Sequence, residues 1–186
     1  MLDSVLSQAT LQKSDLTHIA YASGPGAFTG VRIAASTAQG LSIGLGLPLV
    51  PVSTLAVLAQ QTSDIHHVDK ILATIDARMG EAYAALYQIN STTQLVELVG
   101  EERLIKLAEL NNTDGFFLAG SGFKAKREAG LGIVDGTLDE EILPHAAALV
   151  KLAKQSIEAE NAGSVEPVLI NYIRNNVAVK KKQPVL

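Results

Sequence analysis

Residues 22–32 read ASGPGAFTGVR, three glycines and a proline set between a short apolar run and a longer run of small residues. The run before it, THIAYAS at 17–23, has the length and composition of a short buried strand. After it, from Thr29 to about Gly44, the small residues Gly30, Ala34 and Ala38 recur every four positions, a helical spacing with a smooth stripe. A strand that enters a glycine loop and leaves as a helix is the unit of an α/β layer. The loop fits neither common phosphate-binding pattern. A Walker loop needs Lys and then Ser or Thr after its last glycine, but Val31 and Arg32 follow Gly30. The dinucleotide fingerprint needs glycines at relative positions 1, 3 and 6, and here the third glycine stands one residue too far. Two readings stay open on the residues alone: a tight strand-to-helix connection, or helix-start amides that meet an anion.

Beyond this helix, LPLVPV at 47–52 reads as a second strand, and Ser53 is placed to cap a helix over TLAVLAQQT, 54–62. Towards the amino end, Leu2, Val5, Leu6 and Ala9 follow the i, i+3, i+4, i+7 spacing of an amphipathic helix. That helix begins without a capping residue, so the expectation is that something precedes Met1. The polar stretch SDIHHVDK at 63–70 sets off a second unit, dividing the chain into 1–63 and 64–186. ILATIDA (71–77) and EAYAALYQI (81–89) read as strands joined by RMG in a hairpin. QLVELVGEERLI (94–105) adds a third strand, and FFLAGSGF (116–123) a strand ending in a glycine turn. PHAAALVKLAKQSIEAE (144–160) is a helix with proline at its first position. The tail from 166 to 186 has no clear period.

Composition narrows the function classes. The chain has 186 residues, 47% hydrophobic and 18% charged, which suffices for a substantial core. With no cysteine, disulfides, thiolate metal sites and cysteine nucleophiles are excluded together. A net charge of −4 argues against a broad nucleic-acid surface, which needs clustered Lys and Arg. The longest apolar stretch, 33–50, is interrupted by Ser36, Thr37, Gln39, Ser42 and glycines, and falls short of the roughly 20 large apolar residues of a membrane span. No signal sequence opens the chain, so a cytoplasmic location is expected.

Candidate chemistry is sparse. Asp76, Arg78 and Glu81 gather at the hairpin in DARMGEAY. Two carboxylates near a turn can bind a metal or act as acid and base, but turns carry Asp, Arg and Gly for geometry alone, and that plainer reading is preferred. His66 and His67 are adjacent and diverge on an extended chain. His18 and His145 show no zinc spacing. Arg32 is expected to pair with an acidic group. Lys180, Lys181 and Lys182 form the only basic run, read as solvated, with a phosphate contact as the alternative.

Taken together, SGPGAFTGVRIAASTAQGLS (23–42), IDARMGEAY (75–83) and YIRNNVA (172–178) resemble the TsaB (YeaZ) family of tRNA threonylcarbamoyladenosine biosynthesis, over about residues 2–182. The resemblance implies the actin/sugar-kinase (ASKHA, ribonuclease H-like) α/β fold of two lobes. Its amino-terminal lobe is expected to be incomplete, because the family opens with strands that carry an Asp-Thr turn. An apolar sheet edge or helix face should then lie uncovered. Family members are glycoprotease-like, inactive homologues of metallopeptidases. They pair with the catalytic homologue TsaD and recruit the ATPase TsaE to modify the adenosine beside the anticodon.

On this resemblance the signature residues are Gly24, Pro25, Gly26, Phe28, Thr29, Gly30, Asp76, Arg78, Glu81, Tyr172 and Arg174. The partner interface is expected on Leu2, Val5, Leu6 and Ala9 of the first helix and Gly30, Arg32, Ala34, Ala35 and Ala38 of the second. The opening loop then serves close backbone approach and not phosphate capture, and Ala38→Arg should abolish pairing. No catalytic residue, metal or cofactor is implied. TsaD and TsaE are the partners, with a homodimer when the chain is alone, tRNA reached only through the complex, and no membrane. A sugar-kinase-like phosphotransferase or a metallopeptidase is the alternative; each needs a phosphate loop or a ligand set that the sequence does not display.

Overall fold

In the computed structural model, residues 2–111, 114–132, 135–159 and 168–174 are described. Two short elements, a helix and a 3₁₀ turn over Lys13–Asp15, precede the first sheet. Helix α1 (Leu2–Gln8) closes with Thr10 at φ 57° and the Leu11 amide donating to the Leu6 carbonyl, so it stops one residue before Ala9, the last position of the expected spacing. Strand β1 (Ile19–Ala22) then feeds the glycine loop and helix α2 (Phe28–Leu45), and β2 (Leu49–Val52) returns parallel to β1, Ile19 opposite Leu49. Alternation decides what each face meets. Ile19, Tyr21 and Leu49 pack under Ala38 of α2, whereas Ala20, Val50 and Val52 turn to the central core.

Helix α3 (Thr54–His66) starts on Ser53, whose Oγ accepts from the Ala56 amide at 3.3 Å. It runs four residues past Thr62, through the stretch expected to break it. Asp64 accepts from Gln60 and pairs with Lys151, so the polar residues serve the helix. It stops where His67 takes φ 54° and its amide bonds the Ser63 carbonyl. Gln60 is buried yet satisfied: its Nε2 donates to Asp64 and its Oε1 accepts from the Val96 amide at 3.0 Å.

The second sheet holds β3 (Lys70–Arg78), β4 (Glu81–Ile89), β5 (Val96–Lys106), β6 (Phe117–Ala119) and β7 (Leu138–Asp139), in the order β5-β4-β3-β6-β7. The first three form an antiparallel meander and β6 and β7 join in parallel, the ribonuclease H-like arrangement implied by the resemblance. Helix α4 (Ser121–Glu128) follows β6 where a glycine turn was expected. Gly120 and Gly122 looked like turn residues, but a Cβ on either would collide with Thr74 of β3. They permit close packing. Helix α5 (Ala146–Glu158) begins after Pro144, with His145 Nδ1 accepting the Ala147 amide, so the proline lies outside the helix.

The elements stack in five layers: α2, the β1–β2 pair, α3 with α5, the five-stranded sheet, and α4. Leu55, Leu58, Ile71, Tyr87 and Ala148 fill the centre between the sheets. The division expected at residues 63 and 64 falls inside α3, and residues 168–171 return to the first sheet.

Within this core the Tyr87 hydroxyl donates to Glu102 at 2.7 Å. Burial, with the Glu102 charge second, pushes its pKa far above the usual tyrosine range. The unfolded chain therefore loses this proton first, near pH 10, and the native state retains it. Stability is unaffected by Tyr87 below that pH and falls above it by about 1.4 kcal/mol per pH unit from this group. Urea unfolding between pH 8 and 11 should show that decline, and Tyr87→Phe should flatten it at a neutral-pH cost of about 1 kcal/mol.

Candidate functional site: a cleft at the strand ends and the outer face of α2

Both β1 and β3 end, in chain direction, at one cleft of about 680 Å³, the position where open α/β sheets present their loops. Its first wall is the glycine loop. Gly24 stands at φ 104°, and a Cβ there would lie 3.0 Å from the Asn171 carbonyl oxygen. The Ser23 carbonyl accepts from the Asn171 amide at 2.8 Å, and the Gly24 carbonyl from the Thr54 amide at 2.9 Å. The loop is thus a close backbone approach, as expected, but its neighbour is the chain's own segment 168–174.

The second wall is the β3–β4 turn, with Arg78, Met79 and Gly80 all at positive φ. Asp76 accepts from the Arg78 amide at 2.8 Å and pairs with its guanidinium at 3.0 Å; that arginine is 87% exposed. Glu81 pairs with Arg174 at 2.5 Å, and Arg174 is only 12% exposed. Ser121, at the start of α4, accepts from the Asp76 amide. Arg32 differs from its expectation. Among the described residues it meets no acid; it lies over the Phe28 ring at 3.8 Å, and its Nε donates to the Tyr172 hydroxyl at 3.2 Å.

The first two motifs that carried the resemblance and the described part of the third, 172–174, therefore meet at one place. Gly24, Pro25, Gly26 and Phe28 supply one wall, Asp76, Arg78 and Glu81 another, and Tyr172 and Arg174 close the front; Thr29 is exposed beside it on α2. Both carboxylates at the hairpin are engaged by arginines. Among the described residues no group of three His, Asp or Glu is placed to hold a metal. His66 ends α3 and bonds Asp139 at 2.9 Å while stacking on Phe117, so its neighbourhood is structural. Lys180, Lys181 and Lys182 lie outside the described residues. No helix among those described is long and apolar enough to cross a membrane.

A residue that the sequence did not single out holds the cleft-lining Asn171 from behind. Glu102 of β5 accepts from the Ser53 hydroxyl, from Tyr87 and from Asn171 Nδ2. Nothing in the run GEER distinguishes it from its exposed neighbour Glu101; only the strand's register turns it inward.

The second feature is α2's outward surface. Among the expected interface residues, Val5, Ala9, Gly30 and Arg32 are exposed, Leu2 and Ala34 half-buried, and Leu6, Ala35 and Ala38 buried in the chain itself. Ala38 supports Tyr21 and Leu49, so Ala38→Arg would disrupt this chain's own packing and cannot isolate a partner contact. The outward surface of α2 carries Gly30, Ile33, Thr37, Gly40, Ile43 and Gly44, with Ile33 62% and Ile43 68% exposed. A Cβ at Gly40 or Gly44 would meet nothing within 4 Å. Glycine inside a helix costs up to about 1 kcal/mol relative to alanine, and nothing among the described residues requires these two.

Comparison with known proteins agrees with the motifs. The family model for TsaD, tRNA N6-adenosine threonylcarbamoyltransferase, matches residues 1–130. A tRNA threonylcarbamoyladenosine biosynthesis protein TsaB from Escherichia coli K12 is 35% identical over 97% of this chain and 80% of its own. The structure of YeaZ from Pseudomonas aeruginosa superposes with a TM-score of 0.83 at 32% identity, over 92% of this chain and 81% of that one. A tRNA N6-adenosine threonylcarbamoyltransferase from Bordetella avium is 32% identical over 81% of this chain but 37% of its own. With its strand order, its described motif residues at one cleft and these likenesses, the chain belongs to the TsaB (YeaZ) family of tRNA threonylcarbamoyladenosine biosynthesis proteins.

Proposed function

We propose that the chain is a non-catalytic scaffold and activator in forming threonylcarbamoyladenosine beside the tRNA anticodon, in the cytoplasm. It docks through α1 and the outer face of α2 on a TsaD-type transferase, joined by a TsaE-type ATPase, and meets tRNA only through that assembly. Without the transferase, the same face pairs two copies of the chain. The observation that carries this reading is the exposed α2 surface, whose Gly40 and Gly44 leave room for another helix at the short interaxial distances that small residues allow. Engagement of Asp76 and Glu81 by Arg78 and Arg174 supports the non-catalytic part, since a free acid or base is what a transfer reaction needs.

Reconstitution tests it. With a TsaD-type transferase, a TsaE-type ATPase, ATP, threonine-derived carbamoyl donor and unmodified tRNA, adding the chain should restore modified adenosine, read by nucleoside mass spectrometry. Alone it should turn over no ATP. Modified adenosine at the same level with the chain omitted, or ATP turnover by the chain alone, contradicts the reading.

A further inference from the structure

Residues 168–174 cross the front of the molecule, and none of them is buried. Their first half is tied to the smaller sheet and α2. The Val168 amide donates to Gln39 Oε1 at 2.7 Å, the Leu169 amide to the Tyr21 hydroxyl at 2.9 Å, and the Asn171 amide to the Ser23 carbonyl at 2.8 Å. Their second half is tied to the larger sheet. Asn171 Nδ2 donates to Glu102 of β5 at 2.7 Å, and Arg174 reaches Glu81 of β4 at 2.5 Å.

We propose that residues 168–174 are a releasable clasp that fixes the width of the cleft, with the Arg174–Glu81 pair as its bolt. At the back of the molecule, α3 and α5 are sandwiched between the two sheets by buried Leu55, Leu58, Ala148 and Leu152. That joint is hydrophobic and continuous. The front's ties to the larger sheet, Asn171 to Glu102 and Arg174 to Glu81, lie at exposed or half-buried positions, each worth little net because water replaces it readily. Segments held in this way open at lower free energy than the cores they span. The front therefore lets go first, and the cleft opens about the α3–α5 joint with both sheets folded. Tyr172 extends the device to α2, because its hydroxyl takes the Arg32 Nε proton.

Hydrogen exchange followed by mass spectrometry on the isolated full chain tests this for wild type, Arg174→Ala and the near-isosteric Glu81→Gln. Both variants should exchange at least tenfold faster in peptides covering 168–172 and the 78–81 turn. Peptides from 71–76, 82–88 and 55–62 should keep their protection, and the melting temperature should hold within about two degrees. Unchanged exchange at 168–172 in both variants would show that the smaller sheet alone holds the segment, overturning the clasp. Faster exchange throughout, with a large fall in melting temperature, would overturn it too, because the pair would then belong to the global core.

Discussion

Gly120→Ala should lose about 3 kcal/mol or more of stability, because an added Cβ is more crowded there than at any other described glycine compared. Gly120 sits at φ 99°, where an L side chain is strained whatever its size. The added Cβ would stand 2.1 Å from the Thr74 carbonyl oxygen and 2.7 Å from Leu58 Cδ2. Neither neighbour can yield. Thr74 is fully buried in β3 and donates its hydroxyl proton to the Ala119 carbonyl at 3.0 Å; Leu58 is locked in the central core. The Gly120 amide also ties β6 to β7 through the Asp139 carbonyl. Overpacking on a rigid backbone cannot be relieved by a rotamer change. Gly100→Ala gives the control, since φ there is 86° but a Cβ would meet nothing within 4 Å, and its cost should be about 1 kcal/mol. Urea denaturation of the two variants beside wild type separates collision from backbone strain. Equal losses would mean that the contact with Thr74 is not tight.

The same glycine shows where the sequence is legible and where it is not. Strand and helix types for 17–62 follow from local periodicity, and the hairpin at 76–83 from its turn residues, because both are settled within a few positions along the chain. AGSGF gave no such help. A glycine required by a turn and a glycine required by a neighbour 46 residues away look alike, so α4 was hidden behind Gly120 and Gly122. The stripe Gly30, Ala34, Ala38 shows the matching difficulty on a helix: spacing reveals that one face is smooth, not which partner it meets. Ala38 meets β1 and β2 of its own chain, while Gly40 and Gly44 lie outside. Tail residues 168–174 have no period because they form neither strand nor helix. Their order comes from hydrogen bonds to Tyr21, Ser23, Gln39 and Glu102, none of which is near in sequence.

Gly40→Arg should leave the chain folded and still remove its partner. Gly40 is exposed in mid-helix with open space around it, so a side chain fits in the free protein, and exchanging glycine for a good helix former stabilises α2 by about 0.5–1 kcal/mol. In the docked state proposed above, the same side chain would stand between two helices. It either forces them beyond the roughly 8–10 Å of close packing or buries an unpaired guanidinium at a cost of several kcal/mol. A loss of about 2.8 kcal/mol is a hundredfold in affinity. Stability and binding thus move in opposite directions, which no general unfolding could imitate.

The direct test is a calorimetric titration of a TsaD-type transferase with wild-type chain and with Gly40→Arg, each first shown folded by circular dichroism. The wild type should bind one to one, and Gly40→Arg should melt no lower than wild type and bind at least a hundredfold more weakly. A folded Gly40→Arg chain that binds the transferase as tightly as wild type would contradict docking through the outer face of α2.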